Sequence, residues 1–132
     1  MNSNVVVKPT AEEVAMAACG WLIGEIKQSI SKTGRCVIAL SGGSTPKKLY
    51  ELIARDHIGS VDWSKVHLLW GDERNVPHDH PESNYRMVKG AWLDPAGMSG
   101  SSNSVPNFYP VPIQANAPEK VAHAYEIGRA HV

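Results

Sequence analysis

The sequence predicts an α/β fold: a Rossmann-like open parallel sheet with helices on both faces, truncated at its C-terminal end. Three observations carry this expectation. "CVIAL" (Cys36 to Leu40) and "VHLLW" (Val66 to Trp70) have the length and apolar character of buried strands. Stretches with apolar residues at helical spacing alternate with them, and strands separated by helices pair as parallel neighbours. Each run also breaks at its C-terminal end into a dense polar turn, the edge where an open parallel sheet gathers ligands.

Val5 to Val7 are a short strand candidate. "TAEE" (Thr10 to Glu13) has the spacing of a capping box, with a hydroxyl at the N-cap and a carboxylate three residues on. Val14, Ala17, Ala18, Trp21, Leu22, Ile26 and Ile30 then mark the apolar side of an amphipathic helix, which Gly34 is placed to end. Cys36 to Leu40 is an unbroken apolar run, as expected of a strand covered on both faces. "SGGST" (Ser41 to Thr45) is a turn; Pro46 sits where a first helical residue belongs, with Thr45 as its cap. Leu49, Tyr50, Leu52 and Ile53 give the following helix its buried side. Val66 to Trp70 is the next strand, and Ser83 caps a short helix running to Leu93.

From Asp94 to Asn107 the sequence is rich in Gly, Ser, Pro and Asn, which is loop chemistry. "FYPVPI" reads as a short extended piece, and a further helix starts near Pro118. "IGRAHV" neither caps nor continues that helix. The expected organisation is therefore residues 1–126 as the N-terminal part of a single domain, with 127–132 a non-native tail excluded from fold reasoning.

A chain of 132 residues is long enough to bury a core as one domain. Thirteen basic side chains balance thirteen acidic ones, so no global field draws it to nucleic acid or to an anionic membrane. No apolar stretch reaches the length of a membrane span, and "MNSNVVVKP" lacks the apolar centre of a secretion signal. Cys19 and Cys36 are expected as buried thiols in a reducing cytosol. Anion binding, if any, has to come from a local site.

Two stretches offer one. Ser41, Gly42, Gly43, Ser44 and Thr45 lie between a buried strand and a helix start. There, glycines let backbone N–H groups converge, hydroxyls add donors, and the helix terminus adds partial positive charge. The segment matches neither the nucleotide P-loop nor Gly-x-Gly-x-x-Gly, so a phosphate cradle and a plain glycine-rich turn both remain open. The second stretch is "WGDERNVPHDHPESNYRM" (Trp70 to Met87), with four acidic side chains, two arginines and two histidines. Asp72 and Glu73 fit a general base, a metal pair or helix-capping acids. Arg74 fits a two-pronged grip on phosphate or carboxylate, or simple neutralisation of its neighbours. His78 and His80 have a chelating spacing, but no further His/Cys cluster completes a zinc site, which favours solvated loop histidines. Asn84, at a helix start, fits a cap or a ligand donor.

Together and in this order, "SGGSTP" and "GDERNVP…SNYRM" resemble the 6-phosphogluconolactonase family, which is grouped with the glucosamine-6-phosphate deaminases. The resemblance spans Val5 to Tyr125. The deaminases carry an aromatic residue after Asp-Glu, where this chain has Arg74, which turns the choice toward the lactonases. The resemblance implies hydrolysis of 6-phospho-D-glucono-1,5-lactone to 6-phosphogluconate, the second step in the oxidative branch of the pentose phosphate pathway. It implies a cytoplasmic enzyme without cofactor or metal, whose partner is the small phosphosugar lactone and neither nucleic acid nor membrane. Asp72 and Arg74 are the expected catalytic residues; Ser41, Gly42, Gly43, Ser44, Thr45 and Asn84 are expected at the substrate and its phosphate, with Gly71 shaping the loop. In lactonases the water-activating residue is a histidine in a Gly-x-Asp-Gly-His-type segment. No such segment occurs here; His123 lies in a helical pattern and His131 in the suspected tail, and neither inherits that role. The expectation is an N-terminal half of a lactonase that is inactive alone. The alternatives are a glucosamine-6-phosphate deaminase/isomerase with Asp72 as base, a non-catalytic sugar-phosphate-binding module, and an unstable piece whose open sheet edge favours aggregation.

Overall fold

The computed structural model describes residues 4–98 and 105–113, with Glu119 and His123 beyond them, both helical and exposed. Helix α1 (Ala11–Thr33) is followed by strand β1 (Cys36–Leu40), helix α2 (Ser44–Asp56), a 3-10 turn (Trp63–Lys65) and strand β2 (Val66–Trp70). Helix α3 (Asn84–Val88) runs on into a π-helical turn (Lys89–Leu93), and strand β3 (Asn107–Tyr109) closes the series. The three strands form one parallel sheet in the order β1-β2-β3. The α/β class and the bounds of β1 and β2 match the expectation.

Register sets which side chains share a face. Cys36 lies opposite Val66, Ile38 opposite Leu68, and Leu40 opposite Trp70. Since side chains alternate across a strand, these six face the same way, and all pack in the main apolar cluster. Ile23 and Ile26 of α1, Tyr50 and Ile53 of α2, and Val88, Trp92 and Leu93 beyond them join that cluster. The Trp92 ring is its hub, edge-on to Trp63 at 5.2 Å and stacked on Tyr50 at 6.0 Å. The described helices thus send their buried side chains to one face of the sheet. The helix expected from Pro118, and the tail from Ile127, lie largely outside the described residues.

Caps explain where the helices begin and end. Thr10 Oγ1 accepts from Glu13 N at 3.2 Å and donates to the Glu13 carboxylate at 3.1 Å, so the carboxylate closes the box on the hydroxyl. Gly34, at φ 82°, ends α1 by donating its N–H to Ile30 O. Ser83 accepts from Arg86 N at 3.2 Å and caps α3, as expected.

Four expectations need correction. Val5 to Val7 form no strand and are 79%, 71% and 83% exposed; they pair with none of the described strands, and an apolar triplet without a partner strand gains no ladder. The buried face of α1 is Ala15, Cys19, Ile23 and Ile26, while Val14 and Trp21 point outward. This helix is apolar over much of its circumference, so its periodicity fits two phases about one residue apart and packing against α2 chooses between them. β1 is not covered on both faces among the described residues: Val37 is 45% exposed and Ala39 is also exposed, because the described helices pack on the face that carries Cys36, Ile38 and Leu40. Finally, Thr45 does not cap α2. Gly43 holds that position, Ser44 is already helical and no side chain caps the terminus.

Candidate functional site

Parallel pairing brings the C-terminal ends of β1 and β2 to the same edge, and the ladder continues one step past them through Gly71 N donating to Leu40 O at 2.9 Å. The loop after β1 and the loop after β2 therefore start side by side. Those two loops carry Ser41, Gly42, Gly43, Asp72 and Arg74; Ser44 and Thr45 open α2, and Asn84 opens α3.

The first loop is held from below by Tyr50, whose helical spacing predicts only a buried ring. The Tyr50 hydroxyl accepts from Ser41 N at 3.1 Å and donates to Ser41 O at 2.8 Å. Burial pushes the Tyr50 phenol above its ordinary pKa, and the Ser41 hydrogen bond opposes the shift. A tyrosine whose ring is buried needs a partner for its hydroxyl, which is the signal that could have identified it. Gly43 then takes φ 101°, ψ 170°, a region open essentially to glycine alone. This conformation turns the chain directly into α2 without a side-chain cap. The Ser44 and Thr45 amides have no acceptor among the described residues, and Pro46 has no N–H to present. Gly43, Ser44 and Thr45 are exposed. A helix start with exposed, unoccupied donors and no competing cap is a physical site for an oxyanion.

The second loop separates two adjacent carboxylates into different roles. Glu73 accepts four donors: Arg74 N at 2.8 Å and Asn84 N at 2.7 Å on Oε1, and Tyr85 N at 2.9 Å and Ser83 Oγ at 3.4 Å on Oε2. A carboxylate has about four acceptor positions, so Glu73 has none left for water or a metal. Of the three readings open for it, helix capping is the one observed. Asp72 contributes only its backbone carbonyl, which accepts from Asn84 Nδ2 at 3.1 Å, and its side chain is exposed without a partner among the described residues. Arg74 is exposed too, and no carboxylate among the described residues lies within ion-pair distance of its guanidinium. It does not neutralise its neighbours; it stands free beside Asp72.

Asn84 joins the loops. It is buried, its side chain holds the Asp72 carbonyl, and its carboxamide fills the space where a Cβ on Gly42 would lie, with Cγ 2.6 Å from that position. Only a glycine at 42 lets the first loop approach this closely. The two histidines are engaged separately. His78 Nε2 donates to Val111 O at 2.7 Å and its ring packs on Tyr85 at 4.9 Å, while His80 Nδ1 accepts from Glu82 N at 3.0 Å. His78 is thus a fastener of the loop, not the solvated side chain expected.

A fold and a site of this kind have counterparts. The family model described as "Glucosamine-6-phosphate isomerases/6-phosphogluconolactonase" matches residues 9–130. The chain belongs to this family. Its relatives include the 6-phosphogluconolactonase of Synechocystis sp., 46% identical over 101 residues, covering 76% of this chain and 39% of the relative. The 6-phosphogluconolactonase of Nostoc sp. is 39% identical over 126 residues, covering 96% of this chain and 49% of the relative. Among solved structures, 6-phosphogluconolactonase from Trypanosoma cruzi superposes with a TM-score of 0.78 at 31% identity, covering 96% of this chain and 49% of that one. The Trypanosoma brucei enzyme gives 0.81 at 25% identity, covering 99% and 51%. The chain spans about half the length of these lactonases. Among the described residues, no helix is long and apolar enough to cross a membrane.

Proposed function

We propose that this chain supplies the phosphate-holding loop and the Asp72–Arg74 segment of a cytoplasmic 6-phosphogluconolactonase. Residues 1–126 form part of one lactonase domain, whose substrate is 6-phospho-D-glucono-1,5-lactone and whose product, 6-phosphogluconate, enters the pentose phosphate pathway. The observation that carries this reading is the Asn84 bridge, which joins the oxyanion-ready loop at Gly43–Thr45 to the segment bearing a free acid and a free guanidinium.

The chemistry follows from that arrangement. A phosphorylated lactone is fixed by its phosphate, and the amides of Ser44 and Thr45 with their hydroxyls provide donors at a positive helix end. Water adds to the lactone carbonyl, the ring ester bond breaks, and the ring oxygen takes a proton. Negative charge grows on the carbonyl oxygen during addition, and Arg74 is the exposed, unpaired cation available to hold substrate oxygens. Asp72 is the acid left free to orient water or a hydroxyl. The residue that takes the proton from water is, by resemblance to the lactonases, a histidine in a Gly-x-Asp-Gly-His-type segment. The 132 residues contain no such segment.

Two assays on the full-length protein test the proposal. Lactone opening faster than the spontaneous rate, with no ammonia released from glucosamine 6-phosphate, is the expected result. Ammonia release would assign the deaminase reaction instead. Tight phosphosugar binding without turnover of either compound would make the protein a binding module.

A further inference from the structure

We propose that Glu73 is a positioning residue that couples the two loops of the site, a role that rests on the reading above for its consequence but not for its geometry. Its carboxylate gathers donors from both ends of an eleven-residue excursion: Arg74 N on one side, and Ser83 Oγ, Asn84 N and Tyr85 N on the other. Asn84, held by its backbone to Glu73, uses its side chain to hold the Asp72 carbonyl and to fill the gap beside Gly42. Glu73 therefore fixes the backbone of Asp72 and Arg74 in one direction and, through Asn84, fixes the Gly42–Gly43 loop in the other. The only covalent route between the two loops runs through all of α2 and β2. Without this clasp, their relative position would depend on the β1–β2 ladder, the Gly71–Leu40 hydrogen bond and the packing of α2 on the helical turn after α3.

The occupied lone pairs matter as much as the contacts. An acid that accepts four hydrogen bonds is a rigid support and a poor proton carrier, because any fifth partner has to displace one of the four. Two adjacent carboxylates are thus divided: Glu73 holds the frame and Asp72 is left exposed to solvent.

Substitution at Glu73 separates the clasp from mere helix capping. Glu73→Gln keeps the shape but presents an NH2 group to two of the four donors; Glu73→Ala removes all four contacts. Nuclear cross-relaxation between the Gly42 α-protons and the Asn84 side-chain amide reports the distance between the loops. It is expected to weaken in Glu73→Gln and to vanish in Glu73→Ala, while amides of Ile26 and Val66 stay protected from exchange. Should Glu73→Ala fail to fold, Glu73→Gln alone carries the test. Retention of that signal at wild-type strength in a folded variant would overturn the proposal. The second reading is affinity for 6-phosphogluconate, expected to fall roughly tenfold in Glu73→Gln. A residue that only capped α3 would lower the melting temperature and leave the affinity of the folded fraction unchanged, and that outcome also overturns the proposal. If the wild-type chain does not bind 6-phosphogluconate at all, the proposed function fails, while the cross-relaxation signal still decides the role of Glu73.

Discussion

The Asn84 carboxamide occupies the space that a side chain on Gly42 would need, so residue 42 is a glycine because of a neighbour 42 positions along the chain. Because Asn84 also holds the Asp72 carbonyl, this contact ties the loop after β1 to the loop after β2.

Gly42→Ala tests that link. An added methyl would meet Asn84 Cγ at 2.6 Å, and the carboxamide would have to leave both Gly42 and the Asp72 carbonyl. Overpacking of this kind costs about 1–3 kcal/mol. Chemical denaturation is expected to show that loss, accompanied by weakened binding of 6-phosphogluconate. Unchanged stability and binding would mean the loops tolerate separation.

Gly43→Ala acts by a different route. Little crowds a Cβ there, since the nearest atom is Pro46 Cδ at 3.8 Å, but φ is +101°. The backbone strain is worth about 1–3 kcal/mol. Relief by flipping the peptide would turn donor groups away from the phosphate site. Binding is expected to suffer even under conditions where the variant is fully folded, as judged by circular dichroism.

Tyr50→Phe removes both hydrogen bonds to Ser41 and leaves that backbone pair without its hydroxyl partner. The expected cost is about 1–3 kcal/mol. The wild type should also show an alkaline signature. Burial raises the folded-state pKa of Tyr50 above its ordinary value, so the folded chain retains the proton that the unfolded chain releases. This contribution is complete below the unfolded value of about 10 and is lost as pH rises through the folded value. Denaturation series from pH 8 upward should show a steeper decline in wild type than in Tyr50→Phe.

Cys19 and Cys36 are both buried and free, and burial is the main cause raising each thiol above its ordinary pKa. Thiolate is the reactive form. Alkylation by iodoacetamide at neutral pH should therefore be slow in the folded chain and complete in denaturant. Rapid labelling of either thiol under native conditions would contradict the packing of α1 on β1.

What the sequence made legible was whatever local patterns decide. Strands β1 and β2 were readable to the residue because short apolar runs ended in glycine-bearing turns, and the Thr10, Gly34 and Ser83 caps were readable because their chemistry acts within a few positions. What local pattern could not reveal was anything set by a distant partner. The phase of α1 is chosen by its contact with α2, so Trp21 and Ile23 exchanged the roles their spacing suggested. Sequence alone does not choose among three chemistries for Glu73, because its donors at Ser83, Asn84 and Tyr85 arrive only when the loop folds back. Tyr50 was recognised as buried, but its hydroxyl's hold on Ser41 crosses a loop-to-helix turn that periodicity does not describe. The candidate loops themselves were visible because glycine, hydroxyl and acid density is unusual at a strand end.

The most direct test follows backbone and side-chain resonances of the 132-residue chain during titration with 6-phosphogluconate. The account predicts saturable shifts at the amides of Gly43, Ser44 and Thr45 together with the Arg74 guanidinium, all with one dissociation constant. Shifts confined to one loop, or none at either, would show that the glycine-rich turn and the Asp72–Arg74 segment do not form one site.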